Sequence, residues 1–306
     1  MNQTPKAGRR QGVIGIVEHR GKTSAGSRRA LRAAIDDAGL EPVRWVEVKK
    51  AKKAQAAVTD LVADGVQAVV VCGGDGTVRA AAQALLDTGV ALAVLPTGTA
   101  NLFAGGLGLA TDPAAVVRSV RSGPRRTLDT GECNDRTFTV MAGTGVDAGM
   151  IDKADAARGP LGKKTIGALS YFWAGATEAH AQAPFAVTVT VDGVQFFQGP
   201  ATCVLVGNLG QLPGGIRAFP DASPTDGLLD VGVITAEGLR AWAALMISSV
   251  RGRQEASPDA ELIQGRQIDV RLEREQRIEL DGGTKGSSDH LRIRVRPGSL
   301  IVCGPA

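Results

Sequence analysis

Five consecutive residues have types and an order suited to phosphate binding: Gly73, Gly74, Asp75, Gly76 and Thr77. Glycines let the backbone turn sharply and keep Cβ atoms away from a bound phosphate. If a helix begins here, its first amide groups would favour the anion. A carboxylate beside a phosphate needs a bridging cation, so the aspartate indicates magnesium. A tight turn with a solvated aspartate is the alternative for this loop taken alone.

A second loop of similar chemistry follows one strand later, with the sequence PTGTAN at residues 96–101. Thr99 can donate a hydroxyl hydrogen bond, and Asn101 is suited to cap a helix. Two such loops, one βα unit apart, predict a polyphosphate cradle better than either does alone. Two familiar phosphate motifs do not fit, because Ile16 stands where a P-loop needs its first glycine and Arg79 where the dinucleotide fingerprint needs its third.

The first 120 residues alternate apolar runs with amphipathic helical patterns. We interpret four apolar runs as strands, at residues 12–17, 43–48, 66–72 and 91–95. Three helical patterns are each followed by a glycine suited to end a helix, namely Gly39, Gly65 and Gly89. Asp112 and Pro113 have the types expected at the start of a further helix. This order predicts a doubly wound parallel α/β sheet, with both loops at the carboxyl ends of strands, where ligands bind.

After residue 126 the pattern becomes that of antiparallel strands. Residues 184–193 alternate strictly between apolar and polar types, and five later segments continue in this style. Two helical patterns, at 164–181 and 237–250, interrupt them. We expect an N-terminal α/β nucleotide-binding domain over residues 1–126 and a C-terminal antiparallel β-sandwich domain, for the substrate, over residues 127–290.

The composition of the 306 residues, 43% hydrophobic and 22% charged, excludes a disordered chain or a fibrous repeat. No run approaches the ~20 apolar residues of a membrane span, so any membrane contact should be peripheral. The N-terminus has no apolar segment typical of a signal peptide. The four cysteines form no C-x-x-C pair, and we expect them to be reduced core residues of a cytosolic protein.

The first 53 residues carry 13 Lys and Arg against 5 Asp and Glu, a net charge of +8, whereas the whole chain carries +4. This basic segment suggests an anionic partner such as a nucleotide, a lipid headgroup or a nucleic acid. A solvated helix face is the alternative interpretation.

Taken in order, the motifs resemble the catalytic region of the diacylglycerol kinase and lipid kinase family, which includes sphingosine and ceramide kinases. The likeness extends over nearly the whole chain. It rests on GGDGT at 73–77, PTGTAN at 96–101, LDTG at 128–131, GTGVDA at 143–148, KKTIGALSY at 163–171, VGN at 206–208, PGG at 213–215, DGLLDV at 226–231 and LDG at 280–282.

The resemblance implies a two-domain kinase that binds Mg-ATP between an α/β domain and a β-sandwich, with a C-terminal strand at 291–303 returning to the first domain. By this likeness, the phosphates are held by residues 73–78, the last of them Val78, and by Thr99. Asp75 and Asp129 are expected in a magnesium and water network. A structural magnesium site is expected at the carbonyls of Ser223 and Leu228 and the carboxylate of Asp226.

The chain departs from the family at the expected general base. The family's turn reads Asp-Gly-Glu, and that Glu accepts the proton of the lipid hydroxyl; here Gly283 takes its place. Loss of a general base typically costs 10²–10⁴-fold in rate. Asp281 is the nearest replacement. Near the nucleotide, the family's Asn-Pro is replaced at residues 18–20, and charge from Lys22, Arg28 or Lys49 could compensate.

The leading hypothesis is an ATP- and magnesium-dependent lipid kinase acting on a hydroxyl of diacylglycerol or a related lipid. A kinase for a soluble hydroxyl compound is the second hypothesis, although NAD kinases and phosphofructokinases share GGDG without PTGTAN. A kinase-like nucleotide- or lipid-binding protein with impaired catalysis is the third, and Gly283 favours it.

The expected partners are a nucleotide and a lipid substrate at a membrane surface. No nucleic acid is expected, because no motif that reads one is present; a homodimer is left open. We expect a cytoplasmic protein that meets its substrate at the inner face of the membrane, where each basic residue contributes about 1 kcal/mol toward anionic lipid.

Overall fold

The computed structural model describes residues 13–145, 183–212, 216–237, 241 and 257–305. The N-terminal half alternates strands and helices as its sequence pattern predicts. The elements are β1 (Val13–His19), α1 (Ala25–Asp37), β2 (Glu41–Val48), α2 (Lys53–Ala63), β3 (Ala68–Gly73), α3 (Asp75–Leu85), β4 (Ala91–Pro96), α4 (Leu102–Gly106) and α5 (Pro113–Ser122). The four strands pair in parallel in the order β2-β1-β3-β4.

Helices cover both faces of this parallel sheet, which is why its central strand β3 is buried along its whole length. Leu31 and Ile35 of α1 pack with α5 against one face. Residues of α2 and α3, among them Leu61 and Val78, pack against the other. The predicted doubly wound α/β arrangement is confirmed.

The helix ends follow local chemistry. Asp112 caps α5 by accepting a hydrogen bond from the amide of Ala115 at 2.9 Å, and Pro113 is the first residue of that helix, as predicted. Gly39 and Gly65 follow α1 and α2 with φ of 62° and 80°, in the left-handed region suited to glycine. The prediction that Gly89 ends α3 is wrong. The helix ends at Leu85, because Leu86 leaves the helical conformation to pack against the core.

The second half is built from antiparallel strands around a separate apolar core that includes Phe138, Phe185 and Val231. The strands are β5 (Arg125–Cys133), β6 (Arg136–Phe138), β7 (Met141–Thr144), β8 (Phe185–Val191), β9 (Val194–Ala201), β10 (Cys203–Gly207), β11 (Gln211–Leu212), β12 (Ile216–Arg217), β13 (Leu229–Ile234), β14 (Ala260–Gly265), β15 (Gln267–Leu280) and β16 (Gly283–Cys303). The predicted fold class, α/β followed by antiparallel β, is confirmed.

The last strand joins the two halves. β16 pairs with β15 over its first half, residues 283–294, with β5 over its second half, residues 293–303, and in parallel with β4 at Ile301 and Val302. The antiparallel path β14-β13-β10-β7-β15-β16 therefore continues into the parallel strands as one sheet. The limits of the two domains at residues 126 and 290 stay a prediction.

The helical patterns at 164–181 and 237–250 lie outside the described residues, except residues 237 and 241. All four cysteines are buried and unpaired with one another. Among the helices that the structure describes, none combines the length and the apolar character that crossing a bilayer needs.

Candidate active site

The two glycine loops lie side by side at the carboxyl ends of neighbouring strands. The amide of Thr97 donates to the carbonyl of Gly73 at 3.0 Å, so the second loop starts against the end of β3. A Cβ on Gly98 would lie 2.4 Å from the Cα of Gly74, which is closer than packed carbon atoms approach. The two loops thus pack backbone against backbone.

This packing gives a different explanation for the glycines of the first loop than phosphate approach alone. Gly73, Gly74 and Gly76 have no left-handed φ, so their conformation alone does not require glycine. A Cβ on Gly73 would lie 2.7 Å from the Cβ of Thr77, and protein atoms therefore exclude a side chain there. At Gly76 the nearest atom to a Cβ would be the Cβ of Ala51 at 3.6 Å, an ordinary contact. Gly76 is the glycine of this loop that protein packing leaves free to serve ligand approach.

Asp75 is the first residue of α3, and its carboxylate turns toward the second loop. It accepts a hydrogen bond from the amide of Phe103 in the first turn of α4 at 3.3 Å. Burial raises the pKa of Asp75 to about 6, and the negative charge of Asp281 adds to this rise. A buried carboxyl that is under the influence of another negative charge is suited to a cationic partner.

Asn101 does not cap α4 with its side chain as predicted. Its backbone is left-handed, with φ of 49°, and its side chain instead closes the loop by accepting from the amide of Gly98 and donating to the carbonyl of the same residue, both at 2.9 Å. Asp75, rather than Asn101, accepts a hydrogen bond from an amide in the first turn of α4. Thr99 lies half-buried in the same loop. Because the two loops are in contact, the residues predicted to bind the nucleotide lie close together.

A charged group at the end of β1 replaces the family's Asn-Pro. Glu18 is fully buried, and it accepts hydrogen bonds from Arg28 and from the indole of Trp45 at 2.8 Å. The guanidinium of Arg32 lies 4.4 Å from the centre of the Trp45 ring. Arg28 is therefore held by Glu18, which the sequence did not indicate, since the two residues lie on different elements.

Asp129 connects three segments of backbone. Its two carboxylate oxygens accept from the amides of Gly227 and Gly298, both at 2.7 Å, and its own amide donates to the carbonyl of Pro224. These contacts tie the turn at residues 223–228 to β16. They explain the burial of Asp129 without a metal ion, because each carboxylate oxygen already has a donor.

The turn at residues 223–228 has oxygen atoms of the kind that magnesium prefers. Asp226 is exposed and accepts from the amide of Leu228 at 2.9 Å through Oδ1, while the Ser223 hydroxyl bonds to that of Thr225 at 3.1 Å. One carboxylate and nearby carbonyls are hard ligands that fit magnesium with water completing its shell. Among the residues that the structure describes, no group of three or more His, Cys, Asp and Glu side chains is placed to hold a metal ion.

Asp281 lies at the end of β15 with a saturated carboxylate. Its oxygens accept from the amides of Thr139, Val140 and Met141 and from the Thr139 hydroxyl, at 2.7 to 3.1 Å. Desolvation raises the pKa of this buried carboxyl, and the three amides act against the rise. This geometry argues against Asp281 as the replacement base, since its lone pairs face the backbone.

Asn208 links these two aspartates, a role that the sequence did not indicate. Its side-chain amide donates to the carbonyls of Asp129 and Thr139, both at 3.0 Å. Asn208 is the last residue of the VGN motif at 206–208, and this motif was the feature of the sequence that could have indicated the role. Through Thr139, the network runs from Asp129 to Asp281.

A cationic group lies beside the turn where the family has its base. Asp281 and Gly282 have positive φ values of 49° and 74°, whereas Gly283 does not. A Cβ on Gly283 would lie 3.3 Å from the Nζ of Lys285. Burial raises the pKa of Asp281, and the positive charge of Arg79 acts in the opposite direction. Lys285 was missed because nothing in its sequence spacing connects it with Arg79.

Comparison with known families agrees with this architecture. Residues 16–133 match the family model described as diacylglycerol kinase catalytic domain. Residues 140–304, more than half of the chain, match the one described as YegS C-terminal NAD kinase beta sandwich-like domain. The two matches follow each other near the point where the parallel and antiparallel halves meet.

Curated relatives carry related names. A probable lipid kinase YegS-like protein of Pseudomonas putida is 32% identical, over 90% of this chain and 90% of its own length. A diacylglycerol kinase of Mycobacterium tuberculosis is 34% identical over 56% of this chain and 55% of its own length. The chain likewise spans 56% of a Synechocystis protein, named uncharacterized protein sll0036, to which it is 29% identical.

Solved structures show the same fold. A diacylglycerol kinase of Bacillus anthracis superposes with a TM-score of 0.70 at 19% identity, over 96% of this chain and 97% of the other. An NAD kinase of Archaeoglobus fulgidus, solved in complex with ATP, superposes with a TM-score of 0.52 at 13% identity, over 96% and 94% of the two chains.

Proposed function

Since this chain belongs to the diacylglycerol kinase family of lipid kinases, and is thereby a phosphotransferase with an alcohol acceptor, we propose that it transfers the γ-phosphoryl group of Mg-ATP to a hydroxyl of diacylglycerol or a related lipid. The observation that carries the proposal is the backbone packing of the two glycine loops at the carboxyl ends of β3 and β4. Loops at this edge of a parallel sheet are where open α/β folds bind their ligands.

The nucleotide would lie against the first loop, residues 73–78, with Thr99 contributing from the second. The amides that begin α3 favour a phosphate, because the helix dipole and the amide hydrogens act together. Gly76 supports close approach, since no protein atom occupies the space beside its Cα more tightly than an ordinary contact. Phosphoryl transfer depends on such positioning and on charge stabilisation more than on covalent help from the protein.

Magnesium fits two groups of residues. Asp75 is a buried carboxyl at the proposed phosphate loop with its pKa raised to about 6, and a bound cation would stabilise its charged form. Asp226, with the carbonyls of Ser223 and Leu228, supplies the oxygen donors of the second group. When bound, magnesium would neutralise charge on the phosphates. Asp129 would position the second group through Gly227 rather than bind the ion itself.

The proposal is tested by incubating the chain with ATP labelled at its γ-phosphate, magnesium and a panel of acceptors. The panel holds diacylglycerol and other lipids in mixed micelles, together with soluble alcohols and NAD. We expect label on a lipid, and a loss of at least ~10²-fold in Asp75→Asn, because the carboxamide keeps an acceptor for Phe103 but loses the charge. Asp60→Asn, an exposed position on α2, is the matched control.

Other outcomes would replace the proposal. Label on a soluble acceptor alone would support the second hypothesis, a kinase of soluble compounds. ATP binding with no transfer to any acceptor would support a binding protein with impaired catalysis, which is the alternative that Gly283 favours. Equal activities of the Asp75→Asn variant and the wild-type chain would show that transfer does not depend on the charge of Asp75, and would contradict the role proposed for this loop.

A further inference from the structure

We propose that Arg79, Arg136 and Lys285 form a binding site for the phosphoryl group in transfer, and that Lys285 occupies the space left by the missing side chain at Gly283. The three residues are called the cationic cluster below. The inference rests on the proposed function for the identity of the group that is bound; that the cluster binds a phosphate-like anion follows from its own geometry.

Lys285 is brought to this place by the hairpin between β15 and β16. The guanidinium of Arg136 donates to the carbonyl of Lys285 and so fixes the backbone at that residue. The Nζ of Lys285 lies 3.3 Å from the position that a Cβ on Gly283 would take. A glutamate at position 283 would therefore begin beside this ammonium group. In the present chain the same space is cationic.

Arg79 lies on α3, one helical turn after Asp75. One of its terminal nitrogens donates to the carbonyl of Thr137 at 3.4 Å. Its Nε is buried and has no hydrogen-bond partner among the described residues. A buried donor without a partner costs free energy, which a bound acceptor would recover.

The cluster brings three positive charges together, and the neighbouring carboxylates do not fully balance them. Burial lowers the pKa of Lys285, and the positive charges of Arg79 and Arg136 lower it further. Two carboxylates, Glu279 and Asp281, act in the opposite direction. Glu279 accepts from the hydroxyl of Thr284 at 2.7 Å, and Asp281 is saturated by the backbone of residues 139–141. Three cations against two engaged carboxylates favour an added anion.

The position of the cluster indicates which anion. Arg79 lies one helical turn after Asp75, the residue with which α3 begins at the proposed phosphate loop. The cluster is therefore anchored on the helix that begins at the proposed nucleotide phosphates, and the charge of Asp281 acts on both Asp75 and Arg79. Guanidinium and ammonium groups are the usual donors to phosphate oxygens, and such donors aimed at developing charge are typically worth 10²–10³-fold in rate.

The first experiment measures anion binding without requiring catalysis. Inorganic phosphate is titrated against the chain at constant ionic strength, balanced with chloride, and binding is followed by the rise in melting temperature. We expect Lys285→Met and Arg79→Met to weaken the apparent affinity roughly tenfold or more, since each loses a charge-assisted contact. Lys53→Met on α2 and Arg121→Met on α5, both exposed, are the matched controls and should bind as the wild-type chain does.

The second experiment measures transfer in the acceptor panel. Lys285→Met should lower kcat about 10²-fold with little change in the KM for ATP, and Lys285→Arg should restore most of the activity because it keeps the charge. Gly283→Glu should lower kcat rather than raise it, because the new carboxylate would pair with Lys285 and neutralise it.

The outcomes are distinguishable. Wild-type phosphate affinity in both Lys285→Met and Arg79→Met would overturn the proposal, as would a large gain of activity in Gly283→Glu. Activity lost equally in Lys285→Arg and Lys285→Met would make the lysine a proton acceptor and contradict the charge role. If the wild-type chain phosphorylates no acceptor, the kinase proposal fails, and the phosphate titration still decides whether the cluster binds an anion.

Discussion

At the scale of single residues, the aspartates of this site divide into those that hold backbone and those that we propose meet a ligand. Asp281 and Asp129 give their carboxylate oxygens to amide donors on other segments. Asp75 also accepts from backbone, at the amide of Phe103, but it is the first residue of α3 and lies at the proposed phosphate loop. Residue type alone does not separate these roles. The position of each carboxylate relative to the two glycine loops does.

Asp281→Asn should destabilise the fold by roughly 2–3 kcal/mol, because the amino group of the carboxamide would replace one of the two oxygens that accept from residues 139–141. Asparagine tolerates the left-handed backbone at this position, so the change isolates the loss of acceptors. The free energy of unfolding is measured by urea denaturation, with the exposed Asp289→Asn as control. A loss below about 0.5 kcal/mol would contradict the structural role.

The pairing of Asp269 with His290 predicts a dependence of stability on pH. Desolvation raises the pKa of Asp269, but the hydrogen bonds and charges of His290 and Arg271 outweigh it, so the net pKa is lowered. A lowered carboxyl pKa adds stability above the unfolded-state value of about 4, and this stability is lost as pH falls through the folded-state value.

Asp269→Asn should therefore be less stable than the wild-type chain at pH 6, by under about 1 kcal/mol because the group is partly exposed. The difference should shrink between pH 5 and pH 3. Urea denaturation across this range checks it. A difference that stays constant with pH would show that the charge of Asp269 does not contribute.

At the scale of elements, the site depends on two loops that begin helices and on the hairpin that begins β16. Gly74 and Gly98 allow the two loops to touch, and Asp75 links α3 with α4. The hairpin then carries Asp281, Gly283 and Lys285 toward α3. The site is an assembly of strand ends, and each element supplies only part of it.

Gly98→Ala should weaken the loop pair, because its Cβ would lie 2.4 Å from the Cα of Gly74 and the backbone must move to relieve the contact. We expect a loss of about 1–3 kcal/mol in the free energy of unfolding. Gly76→Ala, whose Cβ would make an ordinary 3.6 Å contact with Ala51, should change stability by less than about 1 kcal/mol. Equal losses in the two variants, measured by urea denaturation, would refute the packing explanation.

At the scale of the whole molecule, β16 makes one sheet from two differently built halves. Its pairing with β15, β5 and β4 places antiparallel and parallel strands in the same hydrogen-bonded path. Leu300 on this strand is fully buried in the core that also includes residues of α2 and α3. Loosening β16 should therefore affect both halves together.

Leu300→Ala should lower the free energy of unfolding by about 2–5 kcal/mol and leave a single transition. In a variant that keeps Trp45 as its only tryptophan, fluorescence reports the parallel half, while circular dichroism reports the whole chain. The two thermal transitions should coincide before and after the substitution. Separate transitions would show that the halves unfold independently. Val194→Ala, at a position 71% exposed, is the control.

Much of this architecture could be predicted from local patterns. The buried strand β3, the cap at Asp112 and the adjacent loops GGDGT and PTGTAN follow from periodicity and backbone preference, which act over a few residues. The ordered motifs indicated the family that the comparisons then showed. The absence of a carboxylate at Gly283 was also visible in the sequence.

The roles of individual polar groups required the folded chain, because they depend on partners far away in sequence. Asn101 has the type of a helix cap but bonds to Gly98, and Asp281 has the type of a base but is saturated by residues 139–141. Lys285 and Arg79 are separated by most of the chain, and the hairpin before β16 brings the lysine beside Gly283. Local sequence specifies strands, helices and turns through short-range sterics and burial, whereas the charge and hydrogen bonding at the site depend on which distant strand ends the sheet places together.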